Sequence, residues 1–400
     1  MIVHFHFSPN PNSGEIRRIR NINNEICNVA YSKCVEVEFY SLRDRNAVKN
    51  EWKFNLSEHV VHKFYIPLIP FTGSSRIIQS LCDIWTSLCI YLIYLIYRPN
   101  IVVGEYSISY AAMFLKKMMK CVFIADMHGA LAEEYTYNNS SIIKWRLDYI
   151  TNMERLTSQR ADYIICQSEE MKRHIVTKYS AKEGQVYVYK CGVNTQLFKY
   201  DTNIKRVMRK DLGIPMDSLV FVYAGGLMKW QKIEESLHVF SKIHKVENNS
   251  RFLILTRELD TVKTLLYQLK LEYLSEKIIA LSSPFDKVSD YLNAADVAFL
   301  LRDDDVMNRV ASPTKLAEYM ACGLPVISSK VALCWVDKKL VDDNTIICFE
   351  EVMALQDLID RVKLSDGKKI RSHAENNFSL AIDSQNIKKM FNNIKSKWVY

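Results

Sequence analysis

Residues 302–329 read RDDDVMNRVASPTKLAEYMACGLPVISS, and this stretch decides how the rest of the chain is interpreted. Ser312 is predicted to cap a short helix whose first position is Pro313. Gly323 is placed to end that helix in a left-handed conformation, and a strand follows from Pro325. The stretch therefore predicts a helix, a turn and a strand in succession.

The predicted helix has two faces. By the three-to-four residue spacing of a helix, one face is apolar and packs, whereas the opposite face is open to a ligand. The apolar residues are Leu316, Tyr319 and Met320, and those of the open face are Lys315, Glu318 and Cys322.

The N-terminus of this helix is suited to bind an anion. Exposed N–H groups and Lys315 in the first turn favour a phosphate or diphosphate. Glu318 lies about 5 Å further along the axis and can accept hydrogen bonds from the vicinal hydroxyls of a sugar. These features indicate a nucleotide, although an ordinary capped core helix has the same local pattern.

The segment SPTKLAEYMACGLPVI resembles the nucleotide-sugar segment of retaining glycosyltransferases with the two-domain GT-B fold, particularly glycosyltransferase family 4. The resemblance implies that Glu318 holds the donor ribose. It also implies that the turn formed by Ser312, Pro313, Thr314 and Lys315 faces the diphosphate. The implied fold class is α/β, with two doubly wound Rossmann-like domains that face an interdomain cleft.

Within and just before this segment, the chain departs from the family at two positions. The family signature has two glutamates separated by seven residues, and Val310 stands at the position of the first, which normally contacts the donor sugar. Pro313 replaces the usual glycine of the loop and has no N–H to donate. The donor sugar therefore does not follow from the resemblance.

The composition predicts a globular chain with two cores. Of 400 residues, 48% are apolar and 11% aromatic, which suffices for two domains of ordinary size. The net charge of +8 suits anionic partners such as nucleotide diphosphates, lipid phosphates or an acidic membrane face. No zinc-finger, helix-turn-helix or aromatic-interleaved basic motif is present, so no nucleic-acid partner is predicted.

The cysteines and the N-terminus bear on location. Ten scattered cysteines include no pair at two-residue spacing, which indicates thiols in a reducing compartment. Residues 1–7 read as a strand without a preceding positive segment, so a signal peptide is not predicted. We therefore expect a cytoplasmic protein.

The apolar run 88–97 is the part of the sequence most compatible with a membrane. It is shorter than the ~20 residues needed to span a bilayer, and a buried helix is expected. The alternative is a surface patch that contacts lipid, with peripheral association at the inner membrane face.

Strand-like runs alternate with helical patterns along the chain, which predicts parallel sheets covered by helices. The runs lie near 1–7, 34–40, 59–66, 100–103, 120–125, 161–167, 185–190, 219–224, 251–256, 277–282, 296–301, 325–329 and 345–348. Residues 192–198, GVNTQLF, are similar to the family run that leaves the N-terminal domain. We expect an acceptor domain at 1–197, a nucleotide-sugar domain at 198–380 and a helix at 381–400 that crosses back.

Two stretches of the first half are candidates for the acceptor side. Gly14 and Glu15 follow the first strand, where loops of open α/β sheets face the ligand. Asp126 and His128 end a later strand, with Glu134 a helical turn beyond, and can orient a sugar and move a proton. In the alternative, His128 caps the next helix and Glu134 is solvated. The resemblance implies that His128 contacts the donor near its reacting carbon.

The second half carries further candidates. Gly225 and Gly226 end a strand, and Lys229 and Lys232 follow, which is a plausible phosphate cradle. The run 303–305 consists of three aspartates and resembles a metal-binding carboxylate pair, but a polar loop beside the donor pocket is the favoured interpretation. No metal and no cofactor are predicted.

The predicted reaction moves a sugar from a nucleotide-diphosphate donor to a hydroxyl of a glycan or lipid-linked acceptor, with retention of configuration. The candidate catalytic residues are His128, Lys232 and Lys315, which act mainly by electrostatics. The resemblance implies a role in bacterial surface polysaccharide synthesis. Alternatives are a sugar-nucleotide epimerase and a catalytically silent scaffold of a polysaccharide assembly complex.

Overall fold

The computed structural model describes residues 1–7, 14–41, 59–70, 74–337, 339–351 and 354–398. The chain forms two compact units. The first comprises Met1–Cys191, Val310–Ser312 and Asp383–Tyr400, and the second comprises Gly192–Arg309 and Pro313–Ile382. The division at Cys191 falls six residues before the predicted boundary at 197, and the short segment 310–312 belongs to the first unit.

The first unit contains a parallel sheet of seven strands in the order β3-β2-β1-β4-β5-β6-β7. Its strands are β1 (Ile2–Phe7), β2 (Cys34–Tyr40), β3 (Val60–Pro67), β4 (Ile101–Glu105), β5 (Val122–Met127), β6 (Tyr163–Cys166) and β7 (Val186–Val188). Helices cover both sides of the sheet, and buried apolar side chains therefore lie on both of its faces. Val3 and Phe5 belong to one apolar cluster, and Ile2 and Ile124 belong to another.

The helices of the first unit connect these strands. They are α1 (Gly14–Ala30), α2 (Arg76–Tyr97), α3 (Tyr106–Leu115), α4 (Leu131–Asn138), α5 (Lys144–Arg160) and α6 (Glu169–Tyr179). Side-chain caps fix two helix starts, since Ser75 Oγ accepts from Ile78 N and Ser168 Oγ accepts from Met171 N, as expected for serine at this position.

The second unit contains a parallel sheet of six strands in the order β10-β9-β8-β11-β12-β13. Its strands are β8 (Leu219–Ala224), β9 (Ser250–Leu255), β10 (Ile278–Leu281), β11 (Val297–Leu300), β12 (Val326–Ser328) and β13 (Ile346–Cys348). Every strand predicted from the apolar runs is present in one sheet or the other. The predicted fold class, two parallel α/β sheets, is confirmed.

The helices of the second unit follow the same alternation. They are α7 (Thr202–Asp211), α8 (Ile233–Val246), α9 (Leu259–Gln268), α10 (Val288–Asn293), α11 (Val306–Arg309), α12 (Thr314–Ala321), α13 (Lys339–Asp342), α14 (Leu355–Leu364) and α15 (Gly367–Phe378). Phe198, in the predicted family run, is buried in this unit.

The last helix, α16 (Leu380–Trp398), packs on the first unit from Asp383 onward. Ile387 and Met390 are fully buried in the cluster that also contains Ile2. The Asn386 amide donates to the Val188 carbonyl at 3.0 Å. The chain therefore ends in the unit in which it began.

Helix α2 is the one described helix that is long and apolar enough to cross a membrane by length and composition, and 33% of the tested window is buried. Helices in the cores of globular proteins pass the same test, so it does not show a span. The predicted run 88–97 is part of this longer helix. Its predicted burial is wrong for one side, since Ile90 is buried whereas Ile96 is 69% exposed.

Gly323 has φ +74°, which confirms the predicted left-handed end of α12. A Cβ there would lie 2.9 Å from the Gly367 carbonyl oxygen and closer to the Tyr200 ring. Gly213 has φ +65° but nothing within 4 Å of a Cβ. The two glycines therefore share a backbone conformation but differ in the space around them.

We predict that Gly323→Ala lowers the free energy of unfolding by more than Gly213→Ala. The left-handed conformation alone costs an alanine about 1–2 kcal/mol, and only Gly323→Ala adds the clash with the Gly367 backbone. Urea unfolding of both variants measures the difference. Equal losses would contradict the close approach of the two backbones.

Candidate active site

The start of α12 differs from the prediction. Thr314 is the first helical residue, Pro313 is the N-cap, and no side chain caps the helix. The Ser312 hydroxyl instead accepts a hydrogen bond from Cys191 N at 3.1 Å within the first unit. The prediction that Ser312 caps α12 is therefore wrong, because Ser312 is held in the other unit. The N–H groups of the first turn keep their capacity to bind a ligand.

Lys315 lies in the first turn of α12, and its ammonium group is partly buried beside β8. Its Nζ donates to Tyr223 Oη at 3.0 Å and to Gln231 Oε1 at 2.7 Å. The same Nζ lies 4.4 Å from the centre of the Tyr223 ring, a cation–π distance. Burial, together with the positive charge of Arg302, lowers the pKa of Lys315 well below its usual value.

Arg302 follows β11 and meets Lys315 at the same oxygen. Its Nη2 donates to Gln231 Oε1 at 2.5 Å. A carboxamide oxygen carries no formal charge, so both side chains donate to a neutral acceptor at this point. Two positive groups are thus brought to one point at the carboxyl edge of the sheet, where ligands of open α/β sheets bind.

The predicted glycine pair lies against this group. Gly225 has φ +137°, and a Cβ there would lie 2.4 Å from Lys315 Nζ. The Gly226 carbonyl accepts from the Tyr223 hydroxyl. A side chain at position 225 would therefore displace the lysine, which explains the need for glycine in this turn.

The predicted lysines of the following turn are placed differently. Lys229 begins a 3₁₀ turn (Lys229–Gln231) and is exposed. Lys232 Nζ pairs with Glu235 at 2.6 Å and Asp303 at 2.9 Å. Burial opposes the charged form, but these two carboxylates raise the pKa of Lys232 above its usual value. Lys232 is thus paired with two carboxylates.

The three aspartates after β11 have partners within the protein. Asp303 pairs with Lys232, and Asp304 pairs with Arg309 at 2.6 Å. Asp305 Oδ1 accepts from Asn308 N at 2.8 Å, which begins α11. This arrangement fits the polar loop that we favoured over a metal site.

The predicted open face of α12 is largely covered. Glu318 is 7% exposed, and Cys322 is 1% exposed and lies 3.7 Å from Ser289 Oγ. The prediction that this face is open is therefore wrong at Cys322. On the opposite face, Tyr319 is fully buried, and its hydroxyl accepts from Ala224 N at 2.8 Å. That contact fixes α12 against the end of β8.

Val310, at the position of the first family glutamate, lies in the apolar core of the first unit and is 3% exposed. Its carbonyl accepts from Ser168 Oγ at 2.6 Å. A valine fits this apolar environment, whereas an ionised glutamate would have to be desolvated there.

In the first unit, Asp126 and His128 lie at the carboxyl end of β5. Asp126 is fully buried and pairs through Oδ1 with Arg18 at 2.9 Å, while its Oδ2 lies 3.5 Å from His128 Nδ1. Burial opposes ionisation, but Arg18 and His128 hold the pKa of the Asp126 carboxyl well below its usual value. The sequence placed Asp126 and His128 at the end of one strand without predicting their contact, and it missed Arg18.

A second buried pair lies beside them. Glu105 is fully buried, neither of its carboxylate oxygens has a hydrogen-bond partner among the described residues, and Oε1 lies 3.7 Å from His4 Nε2. Burial lowers the pKa of His4, but Glu105 outweighs this effect and raises it. The next residue, Tyr106, has φ +43°, a strained conformation for a bulky side chain. Its ring lies 4.3 Å from that of His128.

Glu105, Asp126 and His128 also place one potential metal-ligand atom each within 4.8 Å of the others. Carboxylate and imidazole groups suit divalent transition metals. One Asp126 oxygen already pairs with Arg18. The negative charge of Asp126 is therefore balanced in part by a cation of the protein. The predicted absence of a metal stays a prediction.

The helix after His128 is capped by a carboxylate from another helix. Glu154 of α5 accepts from Leu131 N at 2.9 Å, from Ala132 N at 3.3 Å and from the Tyr179 hydroxyl at 2.7 Å. His128 is thus not the cap that the alternative proposed. Burial of Glu154 raises its pKa to about 7.

The remaining predicted acceptor residues are described in part. Glu134 is partly buried, and its carboxylate lies where a Cβ on Gly129 would point. Gly14 and Glu15 form the start of α1, and the loop at 8–13 before them lies outside the described residues. Their role on the acceptor side stays a prediction.

The residues that sequence reasoning missed come from distant segments. They are Tyr223, Gln231 and Arg302 in the second unit, and His4, Arg18 and Glu105 in the first. Two of them had a sequence signal, because Glu105 ends an apolar strand and Arg302 closely follows one, and such residues are candidates for the ligand-facing edge.

All ten cysteines are free thiols, seven of them buried, in agreement with the expectation of unpaired thiols.

We predict that the stability of the first unit depends on pH through Glu154. Its pKa is raised from 4.5 to about 7 by folding, so its contribution is full below pH 4.5 and is lost as the pH rises through 7. The free energy of unfolding should fall by up to about 3 kcal/mol over this window. Urea unfolding between pH 5 and pH 8 measures the slope.

Glu154→Gln should flatten that slope. Glu133→Gln serves as the matched control, because Glu133 is paired with Lys178 and partly exposed. The control should keep the slope of the parent protein. An unchanged slope in Glu154→Gln would show that another group titrates.

Two family models match the chain. Residues 25–197 match the model described as Glycosyltransferase Family 4, and residues 204–378 match Glycosyl transferases group 1. No curated protein sequence matches the chain.

Solved structures share the fold at low sequence identity. Sucrose-phosphate synthase from Thermosynechococcus elongatus has a TM-score of 0.74 at 16% identity, and the match covers 99% of both chains. WaaG, a glycosyltransferase involved in lipopolysaccharide biosynthesis, has a TM-score of 0.69 at 14% identity, with 98% of this chain and 99% of WaaG covered. Anabaena HepE, in complex with UDP-glucose, has a TM-score of 0.67 at 13% identity, with 98% of this chain and 99% of HepE covered.

At these identities the likeness to solved structures shows the fold alone, and the two family models carry the assignment. Together they account for most of the chain, one for each of its parallel-sheet units. The chain belongs to the glycosyltransferases of the GT-B fold, with a family 4 domain followed by a group 1 domain.

Proposed function

We propose that this glycosyltransferase takes its sugar from a nucleotide-diphosphate donor, retains the anomeric configuration and passes the sugar to a hydroxyl of a glycan or lipid-linked acceptor. The family assignment supports sugar transfer. The complex of HepE with UDP-glucose supports a nucleotide sugar as the donor class. The transferred sugar is a hexose in this proposal.

One observation carries the choice of donor. Lys315 and Arg302 converge on Gln231 Oε1, a neutral oxygen, at 2.7 and 2.5 Å. Burial and the charge of Arg302 lower the pKa of Lys315, and a bound anion favours its charged form. A diphosphate carries the required charge and lies naturally at the N-terminus of α12. Glu318, one turn further along the same helix, then accepts hydrogen bonds from the ribose.

The proposed mechanism relies on stabilising the leaving group. As the bond between the anomeric carbon and the diphosphate oxygen breaks, negative charge grows on that oxygen. Lys315, Arg302 and the N–H groups that begin at Thr314 stabilise this charge. Lys229 and Lys232 are assigned to the diphosphate of the donor. In this proposal Lys232 gives up its ion pairs with Glu235 and Asp303 when the donor binds.

The acceptor step is a same-face displacement in this proposal. The acceptor hydroxyl attacks the anomeric carbon from the side that the diphosphate leaves, and its proton passes to a diphosphate oxygen. His128 contacts the donor near the reacting carbon, with its ring held between Asp126 and Tyr106. A glycosylated protein detected by mass spectrometry during turnover would contradict this step.

The proposed cellular location and pathway of the enzyme are based on its proposed glycan or lipid-linked acceptor. We place the enzyme in the bacterial cytoplasm, at the inner face of the membrane, in surface polysaccharide synthesis such as capsule or lipopolysaccharide. The role of WaaG in lipopolysaccharide biosynthesis supports this pathway class. The transfer proceeds without a metal ion in this proposal, because lysine and arginine supply the positive charge.

A catalytically silent scaffold is the second candidate, and Val310 favours it. The position of one family glutamate is taken by a valine that is buried in the first unit. If Glu318→Ala left polysaccharide synthesis intact in cells whereas deletion of the protein abolished it, the scaffold would be the better interpretation.

We predict that one nucleotide stabilises the protein in a thermal-shift titration with UDP, GDP, CMP and their sugar conjugates. A ligand at 100 times its Kd adds about 2.7 kcal/mol of stability, and EDTA should not change the shift. Lys315→Met should weaken binding about 10-fold to 100-fold, because a charge-assisted hydrogen bond is lost.

Lys263→Met is the matched control, because Lys263 is an exposed lysine of the same unit that pairs with Asp260. It should bind the nucleotide like the parent protein. A shift that disappears with EDTA would contradict metal-free binding, and no shift with any nucleotide would contradict the donor site.

A further inference from the structure

Helix α2 is apolar on two opposite sides. One side packs into the first unit, where Ile90 is fully buried and Ile93 and Tyr94 are nearly so. The other side faces outward and should be polar in an ordinary surface helix. It is instead lined by large aliphatic side chains, as shown by Ile77 and Ile84, which are 75% and 65% exposed.

These exposed side chains form one stripe, which we call the apolar face of α2. In the first half of the helix it consists of Ile77, Leu81, Ile84 and Trp85. In the second half it consists of Leu88, Leu92, Leu95 and Ile96. The three-to-four residue spacing keeps them on one side, and residues 77–96 extend over about 30 Å.

The stripe is not interrupted by an exposed charge. Asp83 is the charged residue within it by sequence, but it is partly buried. Its carboxylate accepts from Gln79 Nε2 at 3.0 Å and from Tyr149 Oη at 2.8 Å, on the packed side of the helix. A continuous exposed patch of this kind marks a contact surface.

The neighbouring helix continues the patch and adds positive charge. Helix α3 packs beside α2, as the Ser87 hydroxyl shows by its hydrogen bond to the Ala111 carbonyl at 3.4 Å. Phe114 and Met118, at the end of α3, are more than half exposed. Lys117 and Lys120 are exposed between and after them.

We propose that the apolar face of α2 lies in the interface of an anionic lipid bilayer, with Lys117 and Lys120 on the headgroups. The link to a lipid-linked acceptor rests on the proposed function. The membrane contact itself is inferred from the exposed apolar side chains and the neighbouring lysines. An aliphatic stripe bordered by lysines is the pattern of helices that lie in a membrane interface. Protein contacts concentrate their binding energy in Trp, Tyr and Arg, with Leu under-represented.

The helix lies on the bilayer and does not cross it. Spanning would extract Ile90, Ile93 and Tyr94 from the core of the first unit. The Trp85 indole N–H also donates to the Pro67 carbonyl at 2.9 Å, which holds the helix on the end of β3. Binding that leaves the helix in place exposes no part of the core.

The topology places the first turns of this helix at the same edge of the sheet as the acceptor side, with β2, β1 and β4 between β3 and β5. Helix α2 follows the carboxyl end of β3, so its first turns lie at the edge of the sheet where parallel strands end. Asp126 and His128 end β5 at that same edge. A lipid-linked acceptor can therefore keep its chain in the bilayer while its headgroup lies at the first unit's predicted site.

The test is flotation of the full chain with vesicles of phosphatidylcholine, with and without phosphatidylglycerol. We expect binding to the anionic vesicles, with about a fivefold loss for each lysine in Lys117→Ser and Lys120→Ser. The triple variant Ile84→Glu, Leu88→Glu, Leu92→Glu should lose at least about 10-fold in binding. These side chains are exposed, so folding should be kept.

The matched control is the triple variant Val207→Glu, Tyr267→Glu, Leu364→Glu, which charges three exposed apolar residues of the second unit. It should bind vesicles like the parent protein. Equal binding by both triple variants, or no binding to anionic vesicles by the parent protein, would overturn the proposal. Resistance to extraction at alkaline pH would show a spanning helix and would also overturn it.

Self-association is the other outcome to measure. If the parent protein forms a dimer that the α2 variant abolishes, while vesicles compete poorly, the face binds a second copy and the proposal fails. Vesicle binding uses no nucleotide, and the thermal-shift titration uses no lipid. Failure of one proposal is therefore distinguishable from failure of the other.

Discussion

The shared oxygen of Gln231 is the contact on which the second unit depends. Lys315 and Arg302 both donate to it, and burial together with the charge of Arg302 lowers the pKa of Lys315. Three separate connections bring these residues together: the turn after β8, the loop after β11 and the first turn of α12. The Tyr319 hydroxyl fixes α12 against the end of β8, and Gly225 leaves space for the Lys315 side chain. Both therefore help to place Lys315 at this oxygen.

In the first unit, the buried carboxylates near His128 lie beside arginine or histidine side chains. Asp126 is neutralised by Arg18, and Glu105 lies next to His4, so buried carboxylates and cations occur in pairs. Removing one member of such a pair leaves a buried charge and is more costly than the pair itself is favourable. These pairs hold the ends of neighbouring strands in place and thereby position His128. The first unit thus pairs its buried site carboxylates with cations, while Lys315 and Arg302 of the second unit share a neutral acceptor.

The two surfaces together suit a transferase that acts on an anionic donor and an acceptor at a membrane. In the proposals, a nucleotide-diphosphate donor binds beside Lys315 and Arg302, and the aliphatic stripe of α2 binds lipid. An anion favours the charged form of Lys315, and exposed apolar surface costs free energy in water. The presence of these two surfaces in one chain is the physical basis of the proposals made here.

The sequence by itself determined the strands and the left-handed end of α12, because periodicity and glycine conformation are local properties. It also placed Asp126 and His128 at the end of one strand and named Lys315 and Gly225 as site candidates, which the structure places side by side. Only the tertiary structure decided that Ser312 belongs to the first unit, that Cys322 is buried and that Arg302 meets Lys315. These contacts join residues far apart in the chain, and whether a side chain is covered depends on elements that local sequence does not specify.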